Sequence, residues 1–227
     1  MPGRAEPLTL KVDDSRSVSG LWLRPADARV CFVLAHGARA GMTHSLLEAI
    51  AAELGQRGVA TLRYQFPFME QGSRRPDPPR LAHAAVRAAV DAAGRLAPDL
   101  ALVAGGKSFG GRMTSQTQAA SPLPGVRGLV FLGFPLHPAG RPSSERAEHL
   151  LEVAVPMLFL QGTRDSLAHL PLLQALCARL GKRATLKLIP DADHSFHVPA
   201  RSGRTDADIR EEMLTALVAW IESTILV

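Results

Sequence analysis

Short apolar runs alternate along the chain with longer stretches in which apolar residues recur every three or four positions. The short runs are rich in Val, Leu, Ile and Ala, as expected of strands buried on both faces, and the longer stretches have the period of amphipathic helices. This alternation is typical of βαβ units that build an α/β fold around a mostly parallel sheet with helices on both faces. The predicted strands are Leu8–Val12, Val18–Leu23, Val30–Ala35, Ala60–Tyr64, Leu100–Ala104, Val126–Leu132, Pro156–Leu160 and Thr185–Ile189.

The helical stretches complete the predicted architecture. Gly58, Gly94 and Gly181 lie near predicted helix ends, where a left-handed glycine cap is favoured. Neither a repeat nor a linker interrupts the pattern, so the sequence predicts a single domain over residues 1–227 with about seven to eight strands. Between the sixth and seventh strands only Gly133–Val155 is available, which is too short for a large cap domain. The predicted helices are Ser45–Gln56, Leu81–Leu96, Gly111–Ala120, Ser144–Val153, Pro171–Leu180 and Asp208–Thr224.

Composition narrows the class of protein. The 26 Lys and Arg against 21 Asp and Glu give a net charge of +5, but only Arg74, Arg75 and Arg80 gather, in a Pro-rich stretch. We expect no nucleic-acid partner, because a basic stripe and stacking aromatics are both missing from the sequence. The first residues lack the apolar core of a signal peptide and no run approaches a membrane span, so a cytoplasmic protein without a membrane partner is expected. Cys31 and Cys177 are too few for a disulfide framework and are predicted to be packing thiols.

One serine lies between glycines where a predicted strand gives way to a helix. Gly106–Gly110 (GKSFG) fits G-x-S-x-G, in which the serine occupies a sharp strand-to-helix turn. Such a turn has a strained backbone, and Gly106 and Gly110 keep side chains away while strand and helix approach each other. Ser108 is therefore the predicted nucleophile, and the Phe109 N–H at the start of the helix is a predicted oxyanion donor.

A phosphate-binding motif overlaps the same serine. Gly106, Lys107 and Ser108 match the end of G-x-x-x-x-G-K-[ST], whose backbone and lysine hold nucleotide phosphates. That motif requires a glycine at position 101, where the chain has Ala101, and Leu102–Ala104 in the would-be loop are strand-like. Nucleotide binding is the less favoured alternative.

Two later residues complete a predicted triad. A serine hydroxyl is a weak nucleophile that needs a histidine base, and the base needs a carboxylate that fixes its tautomer. In G-x-S-x-G hydrolases these follow in the order Ser, Asp, His, each after a later strand. Asp165 and His194 each follow a predicted strand in that order. His197, on the same loop as His194, is the alternative base, and Asp165 by itself also suits a helix cap.

The loop that carries both histidines also holds two acidic residues. Asp191, Asp193, His194 and His197 lie within seven positions, but two histidines and flexible carboxylates on one loop do not make a dedicated metal site. We therefore expect no metal and no other cofactor.

The loop after the strand Val30–Ala35 is where a hydrolase of this kind supplies its second oxyanion donor. Here the strand ends in His36, Gly37 and Ala38. Gly37 lets the backbone fold back so that the Ala38 N–H points at the site, and His36 is expected to be a structural hydrogen-bonding residue. Ala38 is the second predicted oxyanion donor.

Five segments spread over nearly the whole chain resemble the small, lidless α/β-hydrolases related to dienelactone hydrolase. More narrowly, the chain resembles a bacterial branch whose eukaryotic relatives include a hydrolase-like subunit of a histone-acetyltransferase complex. The resemblance implies an α/β-hydrolase fold with the triad and the oxyanion donors already named. Dienelactone hydrolase itself has a cysteine nucleophile where this chain has Ser108, so lactone chemistry does not carry over. The segments are Leu34–Gly37 (LAHG), Arg63–Pro67 (RYQFP), Gly105–Met113 (GGKSFGGRM), Gln161–Asp165 (QGTRD) and Asp193–Phe196 (DHSF).

The sequence thus predicts a serine hydrolase that cleaves a small carboxylic ester or thioester through an acyl-enzyme on Ser108. The alternative is a non-catalytic protein-interaction module that keeps the fold, as the chromatin-complex relatives suggest, and the oligomeric state stays open. Arg39, Arg74 and Arg75 are candidates for attracting an anionic substrate. The predicted partner is a small-molecule acyl substrate in an open pocket, whose candidate lining residues are Phe66, Phe134, Leu136 and His137, together with Phe68 and Phe109.

Overall fold

Eight strands form one sheet in the computed structural model, which describes residues 4–227. Residues 1–3, included in the predicted domain, lie outside the described part. The strands pair in the order β1-β2-β4-β3-β5-β6-β7-β8, with β1–β2 and β2–β4 antiparallel and all other pairs parallel. The strands are β1 (Glu6–Lys11), β2 (Ser17–Leu23), β3 (Val30–Ala35), β4 (Val59–Tyr64), β5 (Ala101–Lys107), β6 (Val126–Leu132), β7 (Met157–Gly162) and β8 (Ala184–Ile189).

Helices cover both faces of the sheet. The elements are α1 (Ser45–Gly55), α2 (Pro67–Glu70), α3 (Pro79–Leu96), α4 (Phe109–Ala120), α5 (Leu170–Leu180) and α6 (Asp206–Thr224), with 3₁₀ segments at Glu145–Glu152, Gly181–Arg183 and Ala200–Ser202. One core cluster packs α3, α4 and α5 against the sheet, and the other packs α1 and α6 against its opposite face. Every residue of β3, β4 and β7 is buried, as a parallel sheet covered on both faces requires. The predicted mostly parallel sheet is confirmed.

Two predictions about the helices need correction, and one short helix is additional. The stretch predicted as the helix Ser144–Val153 is a 3₁₀ segment, because its buried residues Ala147, Leu150 and Val153 recur every three positions, the period of that helix. Gly94 does not cap a helix but lies inside α3, whereas Gly58 and Gly181 have the expected positive φ of 71° and 60°. The short helix α2 was not predicted.

The connection between β6 and β7 contains the 3₁₀ segment Glu145–Glu152 and loops, without further strands or α-helices. The carboxyl edge of the sheet therefore stays uncovered by a cap domain.

None of the helices described within residues 4–227 is both long and apolar enough to cross a membrane. Cys31 is buried and Cys177 partly so, and burial raises their thiol pKa to about 12 and about 11.

Candidate active site

Ser108 stands on a strained turn between β5 and α4. Ser108 is the N-cap residue of α4. Its backbone has φ 50° and ψ −112°, a conformation that is unfavourable for a residue other than glycine. The turn is tight because backbones touch on both sides: a Cβ on Gly106, at φ 142°, would lie 2.1 Å from the Ala35 carbonyl oxygen. A Cβ on Gly110 would lie 2.5 Å from the His36 carbonyl oxygen. The glycines of the motif thus allow strand and helix to meet beneath the serine.

The three predicted triad residues meet at the carboxyl edge of the sheet. His194 Nε2 lies 2.8 Å from Ser108 Oγ, and His194 Nδ1 lies 2.7 Å from Asp165 Oδ2. A carboxylate only accepts hydrogen bonds, so Nδ1 carries the proton and donates to Asp165, which leaves Nε2 to accept from the Ser108 hydroxyl. This is the arrangement in which a histidine removes the proton from an attacking serine.

The Asp165 carboxylate is held by more than the histidine. Its side chain is fully buried, and Oδ1 accepts a hydrogen bond from the Leu167 N–H at 2.8 Å. Oδ2 also accepts one from Gln161 Nε2 at 2.6 Å, and Gln161 Oε1 accepts from the Phe134 N–H at 2.9 Å. Gln161, the first residue of the QGTRD segment, was not assigned a role from sequence. It fixes the rotamer of the carboxylate and ties it to the loop after β6.

His197, the alternative base, points away from the serine. Its Nδ1 lies 3.0 Å from both carboxylate oxygens of Asp206 on α6, and its side chain is 66% exposed. That partner raises the pKa of His197. Asp193 Oδ1 accepts from the Ser195 and His197 N–H groups and so shapes the loop. In the part of the chain that the structure describes, His, Cys, Asp and Glu side chains do not gather in threes around a metal position.

Both predicted oxyanion donors border the serine. Ala38 and Phe109 line the space beside Ser108, and within residues 4–227 neither N–H donates to another protein group. His36 is fully buried: Nδ1 lies 2.7 Å from the Gly37 carbonyl oxygen, and Nε2 accepts from the Phe66 N–H at 2.9 Å. Burial lowers its pKa to about 4, so it is neutral and structural, as predicted.

The loop that follows His36 is anchored by a segment that sequence reasoning left without a role. Arg63 Nη1 donates to the Met42 carbonyl oxygen at 2.8 Å, and Gln65 Oε1 accepts from the Met42 N–H at 2.9 Å. Arg63 is 5% exposed and Gln65 packs against Gly41. The RYQFP segment therefore holds the loop that presents the Ala38 N–H.

Lys107 is a second residue whose place the sequence did not indicate. The strand β5 continues past its predicted end at Ala104 to Lys107, and the lysine ammonium donates a hydrogen bond to the carbonyl oxygen of His194. Its Nζ also lies 5.3 Å from the centroid of the Phe196 ring. Burial lowers the pKa of Lys107 to about 8, against the opposing attraction of Asp165 and Asp193. Lys107 thus links the strand under the nucleophile to the histidine loop.

The predicted pocket residues Phe66, Phe134, Leu136 and His137 are not brought to the serine. All four are at most 3% exposed and none lines a cavity beside Ser108. The Phe66 ring lies 5.0 Å from His36, and Phe134 packs on Phe131 at the same distance. Phe66, Phe134 and Leu136 instead belong to the core cluster that packs α3, α4 and α5 against the sheet.

His137 has a supporting role instead. Its Nδ1 lies 2.8 Å from the Pro138 carbonyl oxygen, and its Nε2 accepts from the His169 N–H at 2.9 Å. The His137 N–H in turn donates to the Leu167 carbonyl oxygen. These bonds tie the loop after β6 to the segment that carries the Asp165 carboxylate.

Two cavities open on either side of Ser108, and Ala38 and Leu167 line both. The larger has a volume of about 620 Å³ and contains the His194 side of the site. The smaller, of about 310 Å³, extends over Phe109 and the start of α4. Of the other predicted contacts, Arg39 lines the larger cavity, whereas Arg74 and Arg75 are exposed and line neither. Further lining residues of the larger cavity include His44, Leu47, Phe196, Arg210 and Met213.

Residues 28–222 match the family model described as alpha/beta hydrolase domain. Among solved structures, the chain is similar to dienelactone hydrolase from Anabaena variabilis, with a TM-score of 0.78 and 20% identity over 98% of each chain. An α/β serine hydrolase homologue from Coxiella burnetii has a TM-score of 0.74 and 18% identity over 93% of this chain and 97% of that one. A lidless α/β serine hydrolase from Xanthomonas campestris has a TM-score of 0.72 and 20% identity, covering 97% of this chain and 96% of that one.

At such identities these likenesses show the fold. The predicted α/β-hydrolase fold without a large cap is confirmed. The narrower resemblance to relatives of a histone-acetyltransferase subunit stays a prediction.

Proposed function

Since the chain belongs to the alpha/beta hydrolase domain family, we propose that it is a serine hydrolase that cleaves small carboxylic esters or thioesters through an acyl-enzyme on Ser108. The observation that carries this proposal is the unbroken hydrogen-bond chain from Asp165 through His194 to Ser108, with distances of 2.7 and 2.8 Å. Catalytic geometry of this kind is recognised by the roles of its groups rather than by the fold alone.

Acylation begins when Ser108 Oγ attacks the carbonyl carbon and its proton passes to His194 Nε2. The imidazolium is stabilised by the buried Asp165 carboxylate. The carbonyl oxygen becomes an oxyanion that accepts hydrogen bonds from the Ala38 and Phe109 N–H groups. As the tetrahedral intermediate collapses, the bond to the leaving group breaks and His194 Nε2 returns the proton to the departing alcohol or thiol.

Deacylation repeats the same steps with water. His194 Nε2 removes a proton from the water as its oxygen attacks the acyl carbon, and then protonates Ser108 Oγ as the acid is released. The strained backbone at Ser108 favours this cycle because it holds Oγ above the edge of the sheet instead of within the first turn of α4. The substrate is small because the two cavities together are of the size usual for small-molecule sites.

The test is labelling with a fluorophosphonate probe, with the modified residue located by peptide mass spectrometry. We expect one labelled residue, Ser108, in the wild-type protein, and loss of both labelling and 4-nitrophenyl butyrate hydrolysis in Ser108→Ala. Folding of each protein is checked by its near-ultraviolet circular dichroism spectrum.

Ser115 provides a matched control. Its Oγ lies 2.8 Å from His149 Nε2, so it is also a serine paired with a histidine, but it is buried and burial lowers the pKa of His149 to about 4. Ser115→Ala should keep full labelling. A folded wild-type protein that never labels would contradict the proposal and would favour the non-catalytic interaction module.

A further inference from the structure

The smaller cavity beside Ser108 is lined by two arginines. We name it the arginine cavity; it is bounded by Ser108, Phe109, Arg112, Arg146 and Asp77, with Pro135 and Leu167 among its walls. Arg112 lies one helical turn after the nucleophile, and its N–H donates to the Ser108 carbonyl oxygen. Its guanidinium carbon lies 6.0 Å from the centroid of the Phe109 ring. The guanidinium therefore lies near the Phe109 ring, and Arg112 lines the same cavity as Ser108.

Neither arginine is neutralised by the protein. Twelve salt bridges occur among residues 4–227, and neither Arg112 nor Arg146 takes part in one. Within the same residues, Arg112 Nε is buried without a hydrogen-bond partner. A buried charged donor without an acceptor is costly and uncommon in a folded protein. In the larger cavity, Arg210 pairs with Glu53 at 2.6 Å, whereas Arg39 takes part in none of the salt bridges of residues 4–227.

The groups around Arg112 do little to compensate its charge. Burial and the nearby Arg146 guanidinium both lower the pKa of Arg112. Burial is the largest cause of the lowered pKa of His149 and of His83. The positive charge of Arg112 lowers both pKa values further. Asp77 is the one carboxylate among the lining residues described, and its Oδ2 accepts from the Phe68 N–H at 3.0 Å without reaching either guanidinium.

We propose that Arg112 and Arg146 form a subsite for a carboxylate carried by the acyl part of the substrate. The inference rests on the proposed function and names its substrate class as monoesters or monothioesters of small dicarboxylic acids. A planar carboxylate fits the fork of N–H donors of a guanidinium, and no protein carboxylate among residues 4–227 forms a salt bridge with either arginine.

The chemistry of the triad decides which end of the substrate carries the charge. His194 must protonate the leaving group, so the leaving group lies on the His194 side, in the larger cavity. The acyl chain then extends to the other side of Ser108, into the arginine cavity, which His194 does not line. A terminal carboxylate on that chain meets the two guanidinium groups.

The first experiment compares pairs of 4-nitrophenyl esters that share leaving group and chain length. Monoesters of succinate, glutarate and adipate are paired with butanoate, pentanoate and hexanoate esters, and the rate with Ser108→Ala is subtracted as spontaneous hydrolysis. We expect the wild-type kcat/KM to favour the carboxylate-bearing ester at least tenfold for one or more lengths. In Arg112→Gln and in Arg146→Gln this ratio should fall to within about threefold of one.

Arg141→Gln is the matched control, because it removes one positive charge from an exposed arginine on the same connection that lines neither cavity. This variant should keep the wild-type ratio. A wild-type ratio near one at every length would overturn the subsite, as would an equal loss of preference in Arg141→Gln, which would indicate only a long-range effect of net charge.

The second experiment measures binding without catalysis, so that failure of the subsite is distinguished from failure of the hydrolase. In Ser108→Ala, binding of glutaramate is compared with that of pentanamide by calorimetry at constant ionic strength. We expect glutaramate to bind at least fivefold more tightly, and a second substitution, Arg112→Gln, to abolish the difference. If the wild-type protein is labelled at Ser108 but Ser108→Ala binds the two amides equally, the carboxylate subsite is refuted and the serine hydrolase is not. A glutaramate preference in a protein that never labels keeps the anion subsite and refutes the hydrolase.

Discussion

Replacement of Lys107 by methionine should change how stability depends on pH. The ammonium is withdrawn from water beneath His194, and burial lowers its pKa from the usual 10.5 to about 8. In the unfolded chain the lysine regains its ordinary pKa, so between pH 8 and 10.5 the unfolded state binds more protons than the folded state. The titration of Lys107 therefore makes the free energy of unfolding rise with pH between pH 8 and 10.5.

The size of the effect follows from the shift. One pKa unit corresponds to about 1.4 kcal/mol, and a change from 10.5 to about 8 gives about 2.5 kcal/mol between pH 7 and pH 10. Cys31 and Tyr64 act in the opposite direction, because burial raises their pKa and the unfolded chain loses those protons first. The pH dependence of the free energy of unfolding in the wild-type protein is thus the sum of contributions from several groups. The contribution of Lys107 is obtained as the difference between the wild-type protein and Lys107→Met.

Urea unfolding at pH 7, 8, 9 and 10 gives the required free energies. Relative to Lys107→Met, the wild-type protein should gain about 2.5 kcal/mol between the lowest and highest pH, with most of the gain above pH 8. Methionine keeps a similar length and removes only the ionisable group, so other titrations cancel. A difference that stays constant across the series would refute the assignment of Lys107 as a buried ammonium that titrates near pH 8.

Asp165→Asn should lower kcat for 4-nitrophenyl butyrate about 10³- to 10⁴-fold, because an amide no longer holds the His194 tautomer that accepts the serine proton. Gly106→Ala should lower the free energy of unfolding by more than about 4 kcal/mol, or prevent folding, since its Cβ would lie 2.1 Å from the Ala35 carbonyl oxygen. Thr205→Ala removes the capping box of α6 and should cost about 1 kcal/mol in urea unfolding.

Matched variants test each of these reasons. Asp191→Asn alters an exposed aspartate on the histidine loop and should leave kcat within about twofold; a loss below tenfold in Asp165→Asn would contradict the proposed role. Gly140 also has a positive φ, of 73°, but open space around it, so Gly140→Ala should cost only about 1 kcal/mol. Equal stability of the two alanine variants would refute the steric argument, and an unchanged midpoint in Thr205→Ala would refute the capping argument.

The sequence predicted the sheet well because most of its parallel strands are rich in apolar residues and are followed by polar or glycine residues. The bounds of β3 and β6 agree with the predicted Val30–Ala35 and Val126–Leu132. The structure also brings Ser108, Asp165 and His194 together as expected, because in a parallel sheet the residues that follow each strand share one edge.

The lining of the site was not predictable in the same way. Phe66 and Phe134 follow strands just as Asp165 does, yet their side chains turn into the core, and apolar character gives no sign of that choice. Arg112 and Arg146 could not be told from ordinary surface arginines. What distinguishes them is that both line one cavity beside Ser108 and that Arg112 Nε is buried without a partner within the described residues, which depends on which distant segments meet in the fold.

The hydrogen bonds that link the proposed catalytic groups join residues far apart along the chain. Ser108 and His194 are 86 positions apart, and Asp165 and His194 are 29 positions apart. Strands β5, β7 and β8 must all be in register before these side chains meet, so the constellation depends on non-local contacts of the fold. Reactivity of Ser108 toward a covalent probe would then report the completed sheet, and an isolated fragment of the chain would have the serine without its chemistry.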